Sequence, residues 1–291
     1  MDLSDQFEAC LLCDSRQLSP LQGYEKNYLI KCNACGFVFC KRKPSIPELE
    51  AHYNLYPRAN SISPITVKRY DELLDKFEKY RVHNNLIDVG CGDGFFLERA
   101  KIRGWNVYGT EFTDGAIAIC ERKGIQMTKS PIDARHYPEG IFDVVTSFEV
   151  IEHINNPRRE LRSFYTMLRK GGIVYVTTPN FNSISRNIKG SDWNIIEYPE
   201  HLSYYTKKTL HKVFRDENFT MLNVVTTGIS INRIKGNSAI PSPSDVAHNV
   251  DEDLREKTEQ RVLFRILKML INSLLNFTGK GDAIKAFFQK R

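Results

Sequence analysis

The segment Leu86-Ile-Asp-Val-Gly-Cys-Gly-Asp-Gly94 constrains this chain more than any other. An apolar run opens straight into a Gly-x-Gly-x-Gly turn, and the helical stretch FFLERAKIRG follows. Glycine at 90, 92 and 94 lets the backbone turn tightly and approach a ligand, with the first amides of the next helix facing it. Further β-rich runs, NVYGTE, FDVVTSF, GGIVYVTTP and MLNVVTT, alternate with helical stretches from Asn84 to about Gly228. Runs apolar on both faces and separated by helices predict an α/β architecture with a parallel sheet covered on both sides. The ending GKGDAIKAFFQKR alternates like a strand and is expected to join that sheet behind an inserted loop and helix at 235–278.

The acidic residues around the turn narrow the ligand. Glu111 closes NVYGTE seventeen residues after Gly94, where a carboxylate can accept both hydroxyls of a ribose. Asp88 stands two residues before the first glycine; it would repel a pyrophosphate and attract an ammonium group. S-adenosylmethionine carries an ammonium, a sulfonium and a ribose. At these residues the sequence resembles the class I S-adenosylmethionine-dependent methyltransferases, over about 84–228 and the final strand. VGCGDG matches their first motif, Glu111 their ribose acid, FDVVTSFEVIEHINNP the motif after their fourth strand, and GGIVYVTTPN their fifth strand. The resemblance implies a seven-stranded, mostly parallel sheet with an antiparallel last strand in residues 81–291. It also implies cofactor contacts at Asp88, Gly90, Cys91, Gly92, Gly94, Glu111 and Phe148, with Asp133 on the adenine side.

SFEVIEHINNP follows the fourth strand of that domain, at the sheet edge where α/β folds hold ligands. On a helix, Glu149, Glu152 and His153 share one face, and two carboxylates with an imidazole suit Mg²⁺ or Mn²⁺. The competing reading is a stabilised helix start. Glu-x-x-Glu-His looks like the motif of ubiquinone-pathway O-methyltransferases and of small-RNA 2′-O-methyltransferases, both users of divalent cations. The resemblance carries a ligand role onto Glu149, Glu152 and His153, and His201 stands where the RNA enzymes place another metal-binding histidine. Without a metal, His153 is the expected base. Glu152, His153 and His201 are thus the expected catalytic residues.

Cys10-x-x-Cys13 and Cys32-x-x-Cys35 have the spacing of a four-cysteine zinc site. NYLIKCNACGFVFC adds a strand, a knuckle and a second strand, so residues 1–44 read as a zinc ribbon that needs the metal to hold so small a lobe together. Cys40 is left over and is expected to be a buried thiol. Residues 45–80 read as a helical linker or cap, opening on Ser45 and Glu48. A ribbon followed by this helix also looks like the N-terminal module of bacterial methyltransferases of surface-polysaccharide and deoxysugar pathways. The sugar C-methyltransferases of that group carry a large C-terminal domain with no counterpart in this sequence, so oxygen is the expected acceptor atom.

Charge limits the partners. The net charge of +6 resides in 254–291, where nine Lys or Arg face three acidic residues. A nucleic-acid-binding protein spreads its basic surface over the reading face, so this distribution argues against RNA, the alternative substrate. The N-terminus carries acids and no apolar leader, and no run approaches a membrane span, so the expected location is the cytoplasm. Helix 254–277 sets Leu263, Ile266, Leu267, Leu270, Ile271 and Leu274 against Arg261, Arg265 and Lys268. Such a stripe packs on its own sheet, on a second copy, or in an anionic membrane surface. The expected reaction is methyl transfer to a hydroxyl of a small molecule or saccharide.

Overall fold

The computed structural model describes residues 6–55, 58, 61–129, 131–229 and 262–291. The N-terminal part contributes three short strands, β1 (Leu18–Pro20), β2 (Leu29–Cys32) and β3 (Val38–Cys40), and two helices, α1 (Ile46–Tyr53) and α2 (Pro64–Phe77). Ser45 starts α1 as expected: its hydroxyl accepts the Glu48 amide, and the Glu48 carboxylate accepts the Ser45 amide.

The alternation beyond Asn84 follows the sequence reading. It runs β4 (Asn85–Val89), α3 (Phe95–Ile102), β5 (Asn106–Glu111), α4 (Asp114–Arg122), β6 (Gln126–Lys129), β7 (Phe142–Phe148), α5 (Pro157–Met167) and β8 (Leu168–Pro179). Then come α6 (Ile184–Lys189), β9 (Ser203–Tyr204), α7 (Lys207–Asp216), β10 (Phe219–Thr227), α8 (Val262–Thr278) and β11 (Ala283–Lys290). Seven strands form one sheet in the order β10-β11-β8-β7-β4-β5-β6. The five from β8 to β6 are parallel, while β11 runs antiparallel between β8 and β10. The last strand is therefore antiparallel, and it closes between two earlier strands. Leu86, Ile87 and Val89 of β4 are buried on both faces, which is why these runs are apolar without alternation.

The cysteine-rich strands do not stand apart. Their sheet has the order β1-β2-β3-β9, and β9 belongs to the chain that follows β8. Val38 pairs with Tyr204 and Phe39 with Ser203, the Cys40 amide donates to the Leu202 carbonyl at 2.8 Å, and Phe37 lies 5.2 Å from the Tyr205 ring.

Helix α8 packs on its own sheet along one side only. Leu275 is buried, but Ile266, Leu267, Met269, Leu270, Ile271, Leu274 and Phe277 are exposed. Polar contacts hold it to the outer edge of β10: Asn276 Oδ1 accepts the Thr226 amide at 3.1 Å and Asn272 Oδ1 accepts that of Gly228 at 2.9 Å. The loop expected at 235–253, Arg261, and the side chains of Leu263 and Arg265 lie outside the described residues. Among the described residues no helix is long and apolar enough to cross a membrane.

Candidate active site

The turn between β4 and α3 makes one wall of a cleft of about 190 Å³, with Asp88, Gly90, Cys91, Gly92 and Phe148 among its lining residues. Gly90 and Gly92 both have positive φ, at 70° and 54°. A Cβ on Gly90 would lie 2.5 Å from Val150, whereas one on Gly92 would meet nothing within 4 Å and would project into open space. The second position thus borders the cleft without a neighbouring side chain against it.

Asp88 lies at the end of β4, 3% exposed, and accepts the Thr146 hydroxyl at 2.7 Å. Burial, with the Glu111 charge adding to it, pushes its carboxyl up to about 7 against the Thr146 hydrogen bond. A cation entering the cleft would restore the charged form. Glu111 ends β5 as expected, with Oε2 accepting the Gly92 amide at 3.0 Å and Oε1 the Phe112 amide at 2.7 Å. Each oxygen keeps a second lone pair, so the carboxylate is oriented by the glycine turn and can still accept hydroxyls.

Phe148 lines the same cleft, its ring 5.0 Å from Phe96 and 6.2 Å from Tyr70. Tyr70, Phe95 and Phe96 also line it. Sequence reasoning missed them as site residues, because Tyr70 falls on the apolar face of α2 and reads as core. Cys91 has its sulfur 3.9 Å from that of Cys120, a packing position beside the turn. Gly94 opens α3 in the left-handed region. Asp133 caps a short 3-10 turn and pairs with Arg135, which holds its carboxyl well below the usual range.

The stretch after β7 corrects the expectation of one helical face. Glu149 takes a left-handed φ of 52°, a 3-10 helix covers Ile151–His153, and α5 starts only at Pro157. The turn at Glu149 breaks the i, i+3 spacing that would align it with Glu152. The side chains brought together are Glu152, His153 and His201, whose ligand-type atoms all lie within 4.8 Å of one another, and Glu149 is outside that group.

Glu152 is buried and accepts the Thr178 hydroxyl at 2.9 Å. His153 Nε2 is 3.8 Å from Glu152 Oε1, and the His153 and His201 rings are 4.7 Å apart. Burial pulls the His153 imidazole down to about 4, so the ring is neutral at physiological pH. Helix α1 covers this cluster. Tyr53 Oη lies 3.2 Å from His153 Nδ1, and His52 Nε2 lies 3.3 Å from Glu200 Oε2. The Leu202 amide donates to the Glu152 carbonyl at 2.9 Å, one residue before the pairing of β9 with β3.

The four expected zinc cysteines converge. Cys10 and Cys35 sulfurs are 3.5 Å apart, those of Cys13 and Cys32 3.6 Å, and all four lie within 4.8 Å. Thiolates held at ~2.3 Å by a tetrahedral ion stand about 3.8 Å apart, so the set fits Zn²⁺. Cys40 is buried separately, and burial pushes its thiol up to about 11.

Comparison with known proteins gives the family. The chain is 32% identical over 130 residues to a ubiquinone biosynthesis O-methyltransferase of Pseudomonas putida, covering 42% of this chain and 54% of that one. It thus spans about half the length of the curated relatives it matches. Among solved structures it resembles a SAM-dependent methyltransferase from Archaeoglobus fulgidus, at 20% identity and a TM-score of 0.51, covering 78% and 93% of the two chains. It also resembles the cyclase SpnF, at 16% identity and a TM-score of 0.52, covering 85% and 97%. At such identities these likenesses show the fold alone, and the cyclase makes plain that the fold does not fix the reaction. Residues 65–224 match the family described as methyltransferase domain, and with more than half of its length inside that match the chain belongs to the class I S-adenosylmethionine-dependent methyltransferases.

Proposed function

We propose that this protein transfers the methyl group of S-adenosylmethionine to a hydroxyl of a small molecule. The observation that carries an oxygen acceptor is the cluster of Glu152, His153 and His201, with the neutral ring of His153 turned toward a buried carboxylate. A hydroxyl is a poor nucleophile while it keeps its proton, so its methylation needs a group of this kind. The cofactor supplies the electrophilic methyl. Asp88 holds its ammonium, Glu111 accepts its ribose hydroxyls, and the glycine turn leaves room for its close approach. As the acceptor oxygen bonds to the methyl carbon and the carbon–sulfur bond breaks, the hydroxyl proton passes to His153 Nε2.

Glu152, His153 and His201 can instead hold a divalent ion, which would lower the pKa of a bound hydroxyl. One carboxylate and two imidazoles favour Mn²⁺ or Zn²⁺ over Mg²⁺, which takes oxygen ligands. In the N-terminal sheet, Cys10, Cys13, Cys32 and Cys35 hold a structural zinc. The relatives named above favour a small-molecule hydroxyl, as in a ubiquinone pathway, and give the RNA or polysaccharide readings no support. The exposed stripe of α8 is a surface for a second copy or an anionic membrane.

The test is incubation with methyl-labelled S-adenosylmethionine and three probes: catechol, a free hexose and an RNA duplex. Label on the catechol oxygen supports the proposal. Label on RNA alone, or cofactor binding with no transfer in the presence of any hydroxyl probe and Mn²⁺, overturns it.

A further inference from the structure

Helix α8 meets the sheet with its polar side. Asn272 and Asn276 turn inward to accept the Gly228 and Thr226 amides, and the Thr226 hydroxyl donates to the Leu275 carbonyl at 2.8 Å. The apolar side faces away from the sheet: Leu270 is 64% exposed, Leu274 63% and Phe277 91%. Thr278, on that same side, returns its hydroxyl to the Leu274 carbonyl at 2.8 Å, which satisfies the donor without water.

The shape of this face selects its occupant. At about 100° per residue, the exposed apolar positions from Met269 on one flank, through Leu270, to Ile271 on the other cover about 200° of the helix circumference. The apolar stripe that a helix buries against a protein neighbour is about half as wide. A second copy lying along α8 would thus leave a flank in water, whereas a fluid apolar phase closes around a convex surface.

Charge points the same way. Residues 262–280 carry Arg265, Lys268 and Lys280 and no acid, and the acids of 251–259 precede the helix, outside the described residues. Lys207 Nζ lies 3.5 Å from Asn276 Oδ1 and Lys280 Nζ lies 2.8 Å from Asn182 Oδ1, so two ammonium groups stand by the C-terminal end of the apolar face. Two copies meeting along these residues would bring like charges together, while an anionic surface is complementary to them. We propose that α8 docks the protein on an anionic lipid surface. The helix lies in the plane of the interface, with Leu270, Leu274 and Phe277 among the acyl chains and Lys207 and Lys280 at the headgroups. This narrows the reading of α8 given above to one occupant, and it does not depend on which acceptor is methylated.

Flotation of the full-length protein with lipid vesicles tests the docking. With equal parts phosphatidylglycerol and phosphatidylcholine at low salt, the protein should float. With phosphatidylcholine alone, or at about 0.5 M salt, binding should fall about tenfold or more. The double variant Leu270→Ser/Phe277→Ser should lose about a hundredfold in partition, Phe277→Ser alone about tenfold, and Lys280→Gln about fivefold. Affinity for S-adenosylmethionine, measured by calorimetry, should be the same in all of them, which separates lost docking from lost folding and from an error about the reaction. A wild-type protein that fails to float with the anionic vesicles at low salt overturns the proposal. Equal binding to the neutral vesicles, or flotation that the double variant retains, overturns it as well. A dimer in light scattering that the double variant dissociates, with no flotation, assigns the face to a second copy and also overturns it.

Discussion

The two sides of the proposed active site are built by different rules. The cofactor side comes from one contiguous strand–turn–helix–strand unit, in which Asp88, Gly90, Gly92 and Glu111 sit within 24 residues of each other. Its parts support one another through the backbone, as when the Glu111 carboxylate takes the Gly92 amide. The acceptor side is assembled from α1, the turn after β7 and the segment before β9, so Tyr53, His153 and His201 meet only in the folded chain. The cofactor side therefore forms with the sheet, whereas the acceptor side depends on how the N-terminal part docks.

The most disruptive test of that contrast removes the zinc proposed for the N-terminal sheet. Cys32→Ser should release zinc and lower the melting temperature by about 10 °C or more, while cofactor binding survives in weakened form. Elemental analysis and scanning calorimetry check this. Full stability with no zinc in either protein would break the contrast at its base.

Next in size is Asp88→Ala, which removes the charged partner proposed for the cofactor's ammonium. At roughly 1.5–3 kcal/mol for such a hydrogen bond, affinity measured by calorimetry should fall about ten- to a hundredfold, with the melting temperature held or raised.

The pH dependence of cofactor binding should be smaller. Since burial holds the Asp88 carboxyl up to about 7, the neutral form prevails below that pH and binding weakens by up to about tenfold for each unit of acidification. The stability of the cofactor-free protein has the opposite sign. A folded-state value raised above the unfolded one gives a contribution present at acidic pH that is lost as pH rises through about 7. Affinity that stays flat between pH 6 and 8 would remove Asp88 from the ammonium site.

The smallest expected change is in cofactor affinity for Glu152→Gln. This variant retains an oxygen for the Thr178 hydroxyl, so binding should stay within about twofold, ~0.4 kcal/mol, while methyl transfer falls. A tenfold loss of affinity would show that the two sides are not separable.

The same contrast explains what could be read in advance. The glycine turn, Asp88, Glu111 and the order of strands were legible because each is encoded within a short stretch whose spacing has a physical meaning. The four cysteines were legible for the same reason. Glu149 misled because helical spacing was applied across a residue with a left-handed backbone. Tyr53 and Glu200 left no local signal, since each acquires its role from a partner more than 90 residues away. A two-residue strand such as Ser203–Tyr204 is too short for alternation to reveal, yet it ties the cysteine-rich sheet to the rest.

That two-residue tie bears on how the protein can be handled. Removing only the residues before α2 would strip β9 of β3 and leave its backbone donors and acceptors as an open edge beside the uncovered Tyr205 ring. Bare edges flanked by exposed aromatic surface recruit other chains, so the shortened protein should precipitate as it is made. The cysteine-rich strands would then serve as the protein's own protection against aggregation.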